Sequence, residues 1–405
     1  MRLSHLSLTN FRNYSRLELD IPSGQLVLHG DNAQGKTNLL EAIYYLATSR
    51  SPYTEADRQL INWLAEEEHL TFTRVVAELI TRLEKKRLEI TLVKEPTPDG
   101  PVRLRKEIRI NGLPRRRLDL LGHVIVVMFA PQDMALVEGP PTNRRRYLNV
   151  TLCQVEPPYC RALGEFGKVL TQRNALLKRL GDERRSGGDD ELAFWDKRLV
   201  EDGAIVIAAR NRLVRDLERL AQPIHEELTG GLEHLKLHYQ PSLDPTADPQ
   251  GQMAFSPADL GASALPDLEP KVIAERYLAA LKARRREEFA RGQTLIGPQR
   301  DELRFLVNGK DLGHYGSRGQ NRTAILALKL AEVNWMREQT GESPILLLDE
   351  VAAELDENRR AFLLNSINGV EQAVLTTTDP GLLAEGLGAE AVLWQVEAGR
   401  ITKDV

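Results

Sequence analysis

Apolar and polar positions change rhythm twice along this chain. From Met1 to about Ala130 they alternate over short stretches: Leu3, Leu6 and Leu8 open the sequence, and Phe72 to Leu92 interleaves apolar with charged residues. Alternation near period two is the mark of strands with one buried face. Leu104 to Ile110 and Leu113 to Leu118 flank Asn111-Gly112, a pair that favours a tight primed turn, so a hairpin is predicted there. His123 to Phe129 is a nearly continuous apolar run, as expected of a strand buried on both faces. Gln25 to His29 predicts a short strand. Thr37 to Thr48 predicts a helix with Leu39, Leu40, Ile43 and Leu46 on its buried side.

From about Pro131 to Phe289 the rhythm is helical. Tyr159 to Leu180 and Leu192 to Leu220 carry apolar residues at helical spacing, joined by a polar, Gly-containing turn at Gly181 to Asp190. Pro241 to Pro270, rich in Pro, Gly, Ala and Asp, predicts an irregular, mobile connection, after which Lys271 to Arg291 resumes as a basic helix. No heptad pattern persists long enough for an extended coiled coil. From about Gly292 to Val405 strands return, at Ile345 to Leu348, Val374 to Thr377 and Val392 to Val396. There is no internal repeat.

The 405 residues suffice for more than one packed unit. The net charge of −4 makes the whole molecule no polycation, so any nucleic-acid surface must be a local patch. The two cysteines, Cys153 and Cys160, fit no common zinc spacing and read as reduced structural thiols. Met1 to Asn10 is strand-like, without the apolar core of a signal peptide, and no stretch is long and apolar enough to span a bilayer. A soluble, cytoplasmic protein without membrane partners is expected.

Chemistry enters at Gly30-Asp31-Asn32-Ala33-Gln34-Gly35-Lys36-Thr37, which fits the phosphate-loop pattern G-x-x-x-x-G-K-[ST] between a strand and a helix. Glycines let the backbone wrap a triphosphate, and its N–H groups make an anion nest. Lys36 can reach the β- and γ-phosphates, the Thr37 hydroxyl can coordinate Mg²⁺, and the helix N-terminus adds partial positive charge. Pro344 to Leu348 then leads into Asp349-Glu350. Asp349 is placed to hold Mg²⁺ and Glu350 to polarise an attacking water, although an apolar strand ending in two acids also fits an ordinary strand end. Ser317-Arg318-Gly319-Gln320 precedes a predicted helix, Gln320 to Glu338, and suits either a phosphate or a plain helix cap.

Taken in this order, these elements make the chain resemble an ATP-binding-cassette ATPase. The resemblance implies an α/β fold: a head formed by residues 1–130 and 290–405 with a compact helical arm, 131–289, inserted between its halves. It implies that Ser317, Gly319 and Gln320 bind the γ-phosphate held by a partner subunit. It also implies that Ala353-Glu354-Leu355-Asp356 meets that partner. Thr376-Thr377-Thr378-Asp379 stands where such ATPases often carry a switch histidine; a Thr hydroxyl can sense the γ-phosphate more weakly. The long stretch from Asn38 to Gly316, without a membrane segment, is the plan of chromosome-maintenance and repair ATPases rather than transporters.

Nearly the whole chain is similar to the RecF family of bacterial recombination and gap-repair ATPases. The stretches that carry this are Leu8 to Tyr14, Gly35 to Ile43, Phe129 to Asp133 with Arg144 to Arg146, Gln172 to Leu177, and Gly297 to Glu302. The chain departs from the family at Gln299, Glu302 and Glu350, and has Tyr53 where an Arg is usual. The resemblance implies that Arg12 reaches the nucleotide, that Asn32 and Asn38 belong to the ATP loop, and that Gln132 contacts Mg²⁺ and water. It further implies slow, DNA-dependent ATP hydrolysis and an ATP-dependent homodimer on double-stranded and gapped DNA. RecR and RecO are the implied partners in loading recombinase.

Basic groups at Arg103, Arg105, Lys106 and Arg109, at Arg115 to Arg117, at Arg144 to Arg146 and at Arg284 to Arg286 are candidates for phosphate contact. Charge runs are also the ordinary form of a solvated face, and Arg144 to Arg146 can instead pair with acids. Two other functions compete. A head that activates a nuclease calls for a partner-binding coiled coil, which is lacking. A nucleotide-gated scaffold with little hydrolysis is opposed by Glu350.

Overall fold

The structure is a computed structural model that describes residues 1–63, 65, 72–97, 100–183, 189–244, 266–383, 386–388 and 390–403. It divides into two compact units: Met1–Asp133 with Lys329–Val405, and Met134–Leu328.

The first unit holds two six-stranded sheets. Its first strands are β1 (Arg2–Phe11), β2 (Tyr14–Asp20), β3 (Gly24–His29), β4 (Phe72–Ile80), β5 (Lys85–Thr97), β6 (Gly100–Ile110) and β7 (Leu113–Arg115). All but β3 form an antiparallel sheet in the order β2-β1-β4-β5-β6-β7. Leu3, Leu6 and Leu8 are all wholly buried although they stand three and then two residues apart. The pairing of β1 with β4 shifts register between Leu3 and His5, and such an irregularity returns the next apolar residue to the inner face. At the expected hairpin Ile110 pairs with Leu113 across Asn111 and Gly112, whose φ angles of 51° and 79° are those of a primed turn. Its second arm is shorter than expected. The Arg116 N–H donates to Asp119 Oδ2 at 3.0 Å, and a helical turn, Arg117–Leu120, takes over.

The second sheet has the order β15-β14-β3-β13-β12-β8, with β8 (Val126–Phe129), β12 (Ile345–Asp349), β13 (Gln372–Thr377), β14 (Val392–Glu397) and β15 (Arg400–Lys403). Every pairing from β14 through β8 is parallel; only β15 is antiparallel. That accounts for the continuous apolar runs, since β8, β12 and β13 are buried along their whole length. The helix Lys36–Thr48 turns Leu39, Leu40, Ile43 and Leu46 inward, all with no exposure. Loops at the carboxyl ends of β3, β12 and β13 converge on one edge, where open α/β sheets bind ligands.

The second unit is built on the helices Pro141–Val155, Pro157–Glu183, Asp189–Leu228, Pro270–Ala283 and Arg285–Arg291. It also contains a sheet that helical periodicity did not reveal: β9 (Leu235–Gln240), β10 (Glu302–Val307) and β11 (Lys310–Asp311), in the order β11-β10-β9. The return to the head expected at about residue 290 comes instead at Lys329. Pairing of β10 with β9, Leu303 opposite Tyr239, keeps residues 290–328 with the arm. The basic helix expected over Lys271 to Arg291 is broken at Arg284, which leaves helical geometry. The connection expected at Pro241 to Pro270 lies largely outside the described residues, as does half of the turn at Gly181 to Asp190.

Family-like stretches of the arm form buried charge networks. Arg173 has no exposure; its Nε donates to Asp196 Oδ1 at 2.8 Å, Nη1 to Thr294 Oγ1 at 2.7 Å, and Nη2 to Glu288. Asn174 Oδ1 accepts from the Thr294 N–H at 2.8 Å. Arg210 pairs with buried Asp301 at 3.1 Å, which also receives the Tyr239 hydroxyl and, at 2.9 Å, the Ser242 N–H. Buried charges persist only when paired in this way.

Candidate nucleotide-binding site

The phosphate loop joins β3 to the helix Lys36–Thr48. Both glycines hold positive φ, and Gly30 is required by space as well: a Cβ there would stand 2.3 Å from Val396 O, whereas one on Gly35 would press on the Asn13 side chain at 2.6 Å. The loop is clamped from outside. Asn13 Nδ2 and the Gly399 N–H donate to Gln34 O at 2.8 and 3.0 Å, and the Tyr14 hydroxyl donates to Gly35 O at 3.0 Å. Asn38 Nδ2 reaches Asn13 Oδ1 at 2.8 Å, so Asn38 acts on the loop through Asn13. Asn32 lies exposed within it.

Lys36 is 4% exposed, and its ammonium is fully engaged. It donates to Gly30 O and, at 3.1 Å, to Asp31 O, and it lies 3.1 Å from Glu350 Oε1. A buried ammonium needs such partners, and a phosphate satisfies it equally well. Glu350 sits just past β12 in the left-handed region, φ 54°. Its N–H donates to Thr376 Oγ1 at 3.0 Å, and its Oε2 accepts from the Thr378 N–H at 3.2 Å. Backbone geometry therefore aims this carboxylate.

Asp349 is also buried. Its Oδ1 accepts from the Thr37 and Thr376 hydroxyls, each at 2.8 Å, and its Oδ2 from the Tyr53 hydroxyl at 2.6 Å. Burial, then the Asp349 charge, pushes the Tyr53 hydroxyl above its usual range. Gln132 lies near enough to the Tyr53 hydroxyl to offset part of that rise, which brings this expected Mg²⁺ contact close to the cluster. Beside it, burial pushes the Asp133 carboxyl up to about 6, against the opposing charge of Lys329. The oxygen-only set of Thr37 and Asp349 suits a hard cation such as Mg²⁺.

Sequence reasoning placed Lys36, Thr37, Asp349 and Glu350 together, and the structure does so. It gave Tyr53 no positive role and did not foresee Thr376 on Asp349. Arg12 stands differently from the expectation of direct phosphate contact. Its guanidinium forks onto buried Glu41 at 2.7 and 2.6 Å and donates to Gln59 O at 2.9 Å.

In the second unit, Ser317 and Gln320 form a reciprocal cap on the helix Arg318–Thr340. The Ser317 N–H donates to Gln320 Oε1 at 3.0 Å and the Gln320 N–H to Ser317 Oγ at 3.2 Å. Gln320 Nε2 also reaches Glu233 at 2.7 Å, while Ser317 and Gly319 are exposed. Several basic candidates are committed to acids. Lys106 pairs with Asp57 at 2.7 Å, Arg144 bonds Glu302 at 2.8 Å, Arg105 meets Glu95 and Glu107, and Arg285 meets Asp196. Arg115, Arg116 and Arg117 are exposed.

A phosphate loop, an acidic strand end and a capped signature helix on this α/β fold define an ABC-type nucleotide-binding head with an inserted arm. The RecF/RecN/SMC N terminal domain family matches residues 2–397. The chain is 42% identical over 408 residues to the DNA replication and repair protein RecF of Chloroflexus aurantiacus, covering 99% of each. It is 38% identical to RecF of Oceanobacillus iheyensis over 100% of each. Solved structures of the recombination mediator protein RecF in the RecFOR pathway, as RecF-ATPrS and RecF-ATP, match it at TM-score 0.82 and 28% identity. Those matches cover 100% of this chain and 98% and 97% of theirs. The chain belongs to the RecF family. Among the described residues, no helix is long and apolar enough to cross a membrane.

Proposed function

We propose that this chain is an ATP-dependent DNA-binding mediator of repair and recombination, acting as a slow ATPase. Lys36 and the loop N–H groups hold the triphosphate. Thr37 and Asp349, with Gln132 nearby, hold Mg²⁺, which would neutralise phosphate charge there. Glu350 orients the attacking water. Two copies sandwich ATP, each offering Ser317, Gly319 and Gln320 to the other's nucleotide. The ATP-bound dimer closes on duplex DNA beside a single-strand gap, and hydrolysis opens it. RecR and RecO are the partners in loading recombinase, a reading supported by the RecFOR pathway of the solved relatives.

The observation that carries this reading is the engagement of Lys36 with two loop carbonyls and Glu350, next to Thr37 on Asp349. The test is ATP turnover with Mg²⁺ over a protein titration, with and without gapped duplex. Turnover per subunit should rise with protein concentration and with DNA. Turnover indifferent to both would leave a monomeric ATPase with no coupling to DNA.

A further inference from the structure

We propose that Tyr53 is a positioning residue of this site, setting how strongly Asp349 holds the divalent cation that accompanies ATP. The inference rests on the nucleotide reading above. Asp349 is 4% exposed, and among the described residues three side-chain hydroxyls donate to it: Thr37 and Thr376 at Oδ1, Tyr53 at Oδ2. All three donors are neutral. They fix the carboxylate without cancelling its charge, which stays available to a cation. At 2.6 Å the Tyr53 contact has the length of a charge-assisted O–H···O⁻ bond. Two donors share Oδ1, so loss of the Tyr53 hydroxyl would strip Oδ2 of its hydroxyl donor in a buried place.

Tyr53 is itself held. Its N–H and that of Thr54 donate to Ser51 Oγ at 2.9 and 3.0 Å, and Ser51 donates to buried Glu41, the residue that also takes Arg12. Lys106 Nζ donates to Ser49 O at 2.9 Å and lies 4.8 Å above the Tyr45 ring, pinning the start of the same loop. The hydroxyl also neighbours Gln132, a second residue expected at the metal.

The test is a Mg²⁺ titration of ATP affinity, using a fluorescent ATP analogue, with a parallel measurement in EDTA. In Tyr53→Phe the Mg²⁺ midpoint should rise about tenfold, the worth of one hydrogen bond to a charged group, while affinity in EDTA stays that of the native chain. Tyr53→Arg places a cation on Asp349 and should raise the midpoint at least as far. An unmoved midpoint in Tyr53→Phe would overturn the proposal. So would equal losses of affinity with Mg²⁺ and in EDTA, or a lowered midpoint in Tyr53→Arg. Native affinity that is the same with and without Mg²⁺ would also overturn it. If the native chain binds no ATP under either condition, the nucleotide reading itself fails, which is a separate result.

Discussion

Glu350→Gln is expected to lower ATP turnover by about 10²–10⁴-fold, the usual contribution of a positioned general base, while leaving ATP bound. The side chain is aimed by its surroundings rather than by its charge. Its amide is anchored on Thr376, and one carboxylate oxygen accepts from the Thr378 N–H. Glutamine is isosteric and its carbonyl can keep that second bond. The change therefore removes proton acceptance and the ion pair with Lys36, and little else. With hydrolysis blocked, the ATP-bound dimer should accumulate. Phosphate release measures the first effect, and light scattering with and without ATP the second. A variant with native turnover would remove Glu350 from the chemistry, and one that stays monomeric with ATP would sink the sandwich.

Arg173→Met is expected to cost about 3–5 kcal/mol of stability, read as a lowered urea midpoint for the arm's unfolding. The guanidinium lies with no exposure between Asp196 and Glu288, and both acids are buried. Removing it leaves Glu288 without its cation partner, while Asp196 keeps Arg285. The penalty comes from the stranded charge rather than from the worth of the pair, so Glu288→Gln in the Arg173→Met background should recover part of the loss. A cost below about 1 kcal/mol, the range of exposed pairs, would contradict the burial of this network.

Contiguity decided what could be read in advance. The phosphate loop is one uninterrupted stretch whose residue types are each demanded by phosphate chemistry, and β8, β12 and β13 announce themselves because parallel strands are buried on both faces. The register shift in β1 accompanies the uneven spacing of Leu3, Leu6 and Leu8, which reads in the sequence as plain alternation. Contacts between distant segments left no such trace. Tyr53 is one tyrosine in a polar loop until folding brings it to Asp349, and β9 is short enough to be lost among helices until it pairs with β10. Charge runs stayed ambiguous for the same reason. A sequence displays Arg105 and Lys106 together but not Glu95 and Asp57 folding onto them. The family-like stretches around Arg173 and Asp301 showed no role in the sequence; in the fold they supply ions and hydrogen bonds inside the arm.

The proposed site depends on Lys36 holding the triphosphate. The measurement that tests this most directly is the equilibrium affinity of Lys36→Ala for ATP, by titration calorimetry beside the native chain. The ammonium stands at the mouth of the loop, already bonded to Gly30 O and Asp31 O. Its removal should take ATP binding below detection while the thermal midpoint of the free protein changes little. ATP affinity equal to that of the native chain would show that nucleotide does not bind at this loop.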